Sequence, residues 1–290
     1  MAVIRQIACT KTQYAIESGH LKALIVFYTW RYTVAKIVSI HSFRGGTGKS
    51  NLTANLAATI ARHGQRVGII DTDIQSPGIH VIFGLDIEKM DCALNDYLWG
   101  HCHIKEAAYD VSNVLKAEQG ETTVANGSLY LIPSSTKARE ISRVLREGYD
   151  VVRLNDGFQE IIRCLNLDYL FIDTHPGLNE ETLISIGISN VLVVILRPDS
   201  QDFQGTAVTV DVARKLEVPK MLLVVNKVLP ALGFDALREQ LEATYNTSVA
   251  GIIPLSEEMI LLGSKELFCL RYPDHPFSQI VEKIATQIEE

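Results

Sequence analysis

The stretch Lys36–Asn55, KIVSIHSFRGGTGKSNLTAN, decides the fold. Its opening residues, with Ile37, Val38 and Ile40 apolar and β-branched, read as a buried strand. Gly45, Gly46 and Gly48 then break the run. After Lys49-Ser50 the apolar residues Leu52, Leu56, Ala57 and Ile60 recur at helical spacing. Strand, glycine-rich turn and helix N-terminus form a phosphate cradle, because backbone N–H groups converge on an anion and the helix dipole adds positive potential. The glycines allow the close backbone approach that Cβ atoms would block. Lys49 would reach the β- and γ-phosphates and Ser50 would ligate Mg2+. The plain motif GxxxxGK[ST] is not met, since Phe43 stands at its first glycine. What fits is the variant [KR]GGxGK[ST], here Arg44-Gly45-Gly46-Thr47-Gly48-Lys49-Ser50. A glycine-rich turn that binds nothing is the alternative.

Composition bounds the rest. The 290 residues are 47% hydrophobic, enough for a full core in one large α/β domain or a domain with an appendage. Twenty-seven basic against 34 acidic residues give a net charge of −7, which argues against wholesale nucleic-acid affinity but leaves room for a local basic patch. Five scattered cysteines form no CxxC pair, which points to a reducing, cytoplasmic compartment. No apolar stretch reaches the ~20 residues that span a bilayer. Ala23–Trp30 is apolar over only eight residues, and Trp30-Arg31-Tyr32 is not a small-residue cleavage site. Residues 1–33 are therefore expected to be an extension outside a domain spanning 34–290.

Downstream of the first helix, Val67-Gly68-Ile69-Ile70 reads as a second strand ending in Asp71-Thr72-Asp73. Carboxylates at the end of a parallel strand lie where α/β folds bind ligands; an acidic turn capping the next helix is the alternative, and the position one helix after the glycine turn favours the ligand site. His101-Cys102-His103 is expected to be a solvated loop, since three adjacent residues cannot all aim at one ion. Lys137, Arg139, Arg143 and Arg146 mark a helix face that is either solvated or a patch for an anionic partner. Tyr169–Asp173 is an apolar strand ending in aspartate, the form in which the carboxylate holds Mg2+ through water. Gly177 would then set its N–H on the γ-phosphate. Further strands are expected at 129–132, 191–196, 221–225 and 249–253, with helices between them. The implied fold is α/β, a mainly parallel sheet of seven strands with helices on both faces. The last helix, with Phe277, Ile280, Val281, Ile284 and Ile288 on one face and mainly acidic residues opposite, is expected to pack on that sheet rather than lie on a membrane.

The variant phosphate loop, the DxD of Asp71–Asp73 and the sequence Asp173-Thr174-His175-Pro176-Gly177 occur in the order found in the MinD/ParA family of P-loop ATPases, and residues 35–285 resemble that family. The resemblance implies a SIMIBI-type nucleotide-binding fold, ATP and Mg2+ as cofactors, and slow, partner-stimulated hydrolysis. It implies that Asp73 orients the attacking water while Ser50, Asp73 and Asp173 serve the metal. Gly45, Gly46, Thr47, Gly48, Lys49, Ser50, Asn51, Gly177, Asn226 and Pro254 would contact the nucleotide, Asn226 and the Pro254 loop on the adenine side. Asn226 as a strand-end cap stays open. The family's signature lysine is here Arg44, which would reach the partner's phosphates in an ATP-dependent homodimer. His175 stands where the family has Pro or Ala. By resemblance the chain works in cell division or intracellular positioning, with an activating protein partner and a membrane or nucleoid surface left open. A metal-insertion or cluster-carrier ATPase ranks second, because those members use paired cysteines. A scaffold with negligible turnover is a third reading.

Overall fold

A computed structural model describes residues 35–86, 89–116 and 127–290; the expected extension over 1–33 lies outside them. Strand β1 (Lys36–His41) runs through the glycine turn into α1 (Lys49–Arg62), and β2 (Arg66–Asp71) follows. Two short helices, α2 (Ile79–Ile82) and α3 (Leu94–Leu98), precede β3 (Tyr109–Asp110) and β4 (Ser128–Ile132). Helices α4 (Ala138–Glu147) and α5 (Val151–Leu165) lead to β5 (Tyr169–Asp173), α6 (Glu180–Gly187) and β6 (Val191–Leu196). Then come α7 (Ser200–Lys215), β7 (Lys220–Val228), α8 (Phe234–Tyr245), β8 (Val249–Pro254), α9 (Glu257–Leu262), α10 (Phe268–Arg271) and α11 (Pro276–Glu289).

The strands form one sheet in the order β3-β4-β2-β5-β1-β6-β7-β8. Every neighbouring pair is parallel except β3–β4. Among the described residues the count is eight rather than the seven expected, because β3 has only two residues and shows no periodicity to read. Both faces are covered. Leu52, Leu56 and Ile60 of α1 and Val281, Ile284 and Ile288 of α11 pack against Val38, Ile40, Phe171 and Val193. On the other face Ile186, Val210, Leu237 and Leu241 pack against Leu192, Val194, Leu223 and Val225. Successive strand residues thus feed opposite cores, which is why these strands read as unbroken apolar runs. The Lys36 ammonium donates to the carbonyls of Ile288 and Glu289 at 2.7 and 2.9 Å, fixing the end of α11 to β1. The last helix packs on its own sheet, as its acidic polar face implied.

This topology sets the carboxyl ends of β1, β5 and β2 side by side. They carry the glycine turn, Asp173 and Asp71 respectively, and Asp71 pairs with Asp173 in register.

Candidate functional site

Lys49 is the centre of the arrangement. As the first residue of α1 it lies under the glycine turn, and its ammonium meets Asp173 Oδ1 at 2.9 Å and Asp73 Oδ2 at 3.9 Å. Burial would strip the proton from this ammonium, but Asp173 and Asp73 outweigh it and hold the pKa above the ordinary value. Thr53, one helical turn after Lys49, sets its hydroxyl 3.1 Å from Asp173 Oδ1 and 3.0 Å from the Lys49 carbonyl oxygen. Thr72 donates from both its N–H and its hydroxyl to the Asp173 carbonyl, at 2.9 and 3.0 Å, tying the end of β2 to the end of β5. Lys49, Asp73 and Asp173, far apart in sequence, are brought together.

Asp71 belongs to the same cluster. It is fully buried; its Oδ1 accepts from the Asp73 N–H at 3.0 Å, and its Oδ2 has no partner. Burial first and the neighbouring Asp173 second push its carboxyl well above the usual range. Asp73 is raised too, chiefly by burial and against the pull of Lys49 and His175. Asp173 Oδ2 is likewise buried without a partner. Two orphaned carboxylate oxygens at adjacent strand ends fit a divalent cation, which takes an oxygen-rich donor set such as this. The loop fits an anion: Gly46 and Gly48 have φ of +76° and +97°, and a Cβ on Gly46 would meet open space.

His41, at the end of β1, is buried, with Nδ1 2.8 Å from the Thr174 hydroxyl. Its pKa is pushed down to about 3 by burial first, then by Lys49 and His175, so the ring is neutral. His175 Nδ1 lies 2.6 Å from the Pro176 carbonyl oxygen, which leaves Nε2 facing Asp73 Oδ1 at 3.9 Å. The Gly177 N–H donates to the Ser42 carbonyl at 3.1 Å, so here that donor is spent on the phosphate-loop strand end. Asn226 Nδ2 donates to the Thr47 carbonyl at 2.8 Å, and its Oδ1 accepts from the Lys227 N–H, which is the strand-end role together with a grip on the phosphate loop. Asn51 donates to the Ser264 hydroxyl, Ser50 is half-buried in the first turn of α1, and Pro254 pairs with Val228 at the rim of β8. Arg44 faces Asp199 and Asp202 of the same chain at 3.8 and 3.7 Å. Phe43 lies across α7: a Cβ on Gly205 would come within 2.2 Å of its ring, so a glycine there makes room for the aromatic in place of the usual loop glycine.

Two clusters lie elsewhere. The arginines of α4 are interleaved with carboxylates, Arg143 stacking on Trp99 at 4.2 Å and pairing with Glu147 at 2.9 Å, so this face is of mixed charge. The Cys102 thiol has its pKa pushed up to about 12, by burial first and by the neighbouring Cys92 thiol second. The sequence holds no CxxC, and the turn–helix–turn around α3 supplies the pairing that spacing could not reveal.

A family model described as "ParA: NUBPL iron-transfer P-loop NTPase" matches residues 33–289. The chain belongs to the ParA family of P-loop NTPases. Among curated relatives, an uncharacterized ATP-binding protein of Methanocaldococcus jannaschii is 27% identical, covering 88% of each chain. An iron-sulfur cluster carrier protein of Pyrococcus horikoshii is 24% identical over 90% of this chain and 88% of its own. The septum site-determining protein MinD of Pyrococcus horikoshii, solved with Mg-ADP, shares the fold at a TM-score of 0.70 and 21% identity, covering 88% of this chain and 96% of its own. Membership of this NTPase family implies nucleotide binding with Mg2+. Among the described residues no helix is long and apolar enough to cross a membrane.

Proposed function

We propose that the protein is a Mg2+-dependent ATP switch that hydrolyses ATP slowly and pairs with a second copy while ATP is bound. The observation that carries this is the convergence of the buried Lys49 ammonium on Asp173 and Asp73, beside the unpartnered oxygens of Asp71 and Asp173. On nucleotide binding Lys49 would exchange these carboxylates for phosphate oxygens, releasing Asp173 and Asp71 toward the cation and Asp73 toward a water in line with the γ-phosphate. Bound Mg2+ would supply neutralisation of the phosphate charge. The Gly177 N–H, leaving Ser42, would meet the γ-phosphate, so that hydrolysis frees the loop. Arg44 would leave Asp199 and Asp202 to reach the second subunit's phosphates with the bidentate geometry lysine lacks. Phosphate release from Mg-ATP, with EDTA and GTP as controls, tests the reading; turnover indifferent to EDTA refutes it.

For the cargo, two readings stand level: positioning, in cell division or partitioning in the cytoplasm with an activating partner, and iron-sulfur cluster transfer. The family description and the cluster-carrier relatives favour the second as much as the MinD-like fold favours the first, so ranking it lower on cysteine spacing alone is revised. The Cys92–Cys102 contact gives it a thiol pair. Anaerobic reconstitution with iron and sulfide, followed by absorption spectroscopy of the wild type and Cys92→Ser, separates them: a cluster lost in the variant selects the carrier, and no cluster selects positioning.

A further inference from the structure

The pairing of β7 with β8 is irregular at two places, and the second lies at the end of the strand. There the register shifts between Val225 and Val228, and the residues bridging the shift are Asn226 and Lys227. Lys227 has φ of +60°, a left-handed conformation that a lysine adopts only against a steric cost. In a regular strand these consecutive side chains would point to opposite faces. Here both go to the phosphate loop: Lys227 Nζ donates to the Gly46 carbonyl at 2.8 Å and Asn226 Nδ2 to the Thr47 carbonyl at 2.8 Å. The irregularity therefore serves to aim two adjacent side chains at two adjacent carbonyls.

No described peptide bond is cis, and in a planar trans peptide the C=O and the following N–H point in opposite directions. A Gly46 carbonyl held toward β7 turns the Thr47 N–H away from it. A Thr47 carbonyl held the same way does so for the Gly48 N–H. Successive N–H groups turned to one side make an anion nest. We propose that Lys227 is a positioning residue, which with Asn226 pins the outer carbonyls of the phosphate loop so that its N–H groups are set for phosphate before any nucleotide arrives. It acts through the loop backbone and needs no contact with the ligand. This rests on the nucleotide-binding reading above.

The discriminating variant is Lys227→Gly, since glycine relieves the positive φ while deleting the ammonium; Lys227→Arg restores a donor. Titration calorimetry with Mg-ADP should give a loss of about tenfold for Lys227→Gly, the worth of one hydrogen bond from a charged donor, at an unchanged or higher thermal midpoint. Lys227→Arg should recover most of that affinity. In nucleotide-free protein, the Thr47 and Gly48 amides of Lys227→Gly should shift and broaden in nitrogen-15 spectra. Equal affinity in wild type and Lys227→Gly overturns the proposal. So does weaker binding with both amides unmoved, which would mean that Lys227 touches the nucleotide directly. If the wild type binds no Mg-ADP, the functional reading falls, and the nucleotide-free amide spectra alone decide whether the staple exists.

Discussion

Replacing Lys49 by methionine tests the electrostatics of the site without any ligand. The side chain is 7% exposed and Asp173 is 1% exposed, with 2.9 Å between ammonium and carboxylate. Methionine keeps the length and the apolar stem, so the packing change is small. What remains is a buried carboxylate cluster without its cation, and removing one partner of a buried pair costs about 3–5 kcal/mol. For a domain of this size each kcal/mol moves the thermal midpoint by roughly 2–4 °C, giving a fall of about 6–20 °C. Asp71 and Asp73 already have raised folded-state pKa values. A carboxyl raised on folding gives stability that is full below its unfolded pKa and lost as pH rises through its folded pKa. The deficit of Lys49→Met should therefore be largest at pH 8 and shrink toward pH 5. Lys49→Met/Asp173→Asn, which neutralises both partners, should regain most of the loss at pH 8. Calorimetric scans of the nucleotide-free protein at both pH values read all of this. A single variant as stable as wild type, or a double variant no better than the single, refutes the account.

Three further outcomes follow from the same geometry. Asp73→Ala with Mg-ATP should persist as a dimer in light scattering, and a monomer at micromolar concentration counts against ATP-driven pairing. Gly48→Ala would force φ of +97° on a residue with a Cβ, placed 2.5 Å from Asn226 Nδ2; we expect about 1–2 kcal/mol lost in denaturant titrations and no measurable Mg-ADP heat, while wild-type binding in this variant would show the loop to be tolerant. Because Asp71 and Asp73 hold protons more tightly than free aspartates, Mg-ADP affinity should fall as pH drops from 8 to 5; a flat profile would separate these carboxyls from the metal.

The legible part of the chain was that written in local pattern. β1, β2 and β4–β8 announced themselves as apolar runs because helices cover both faces of the sheet. Lys49 and Asp173 were readable because their chemistry sits in contiguous motifs. Asp71 was not singled out, since only the register of β2 on β5 sets it opposite Asp173. Thr53 is an ordinary helical threonine until β5 is laid beside it, and the α5 segment carried no motif to draw notice. Lys227 depends on a register shift that no spacing rule foresees, and Cys92 and Cys102 are neighbours across α3, a separation that no CxxC rule covers. The resemblance sets Asn226 beside the base; its amide contact with the phosphate loop is a further feature that no motif announces.

The aromatic ring of Phe43 lies where α7 presents bare backbone at Gly205. Volume at one position is thus borrowed from the other. A chain of this kind with glycine at 43 is released to carry a larger residue at 205, and a methyl group added at 205 alone would push the loop's entry segment, not the helix, out of place.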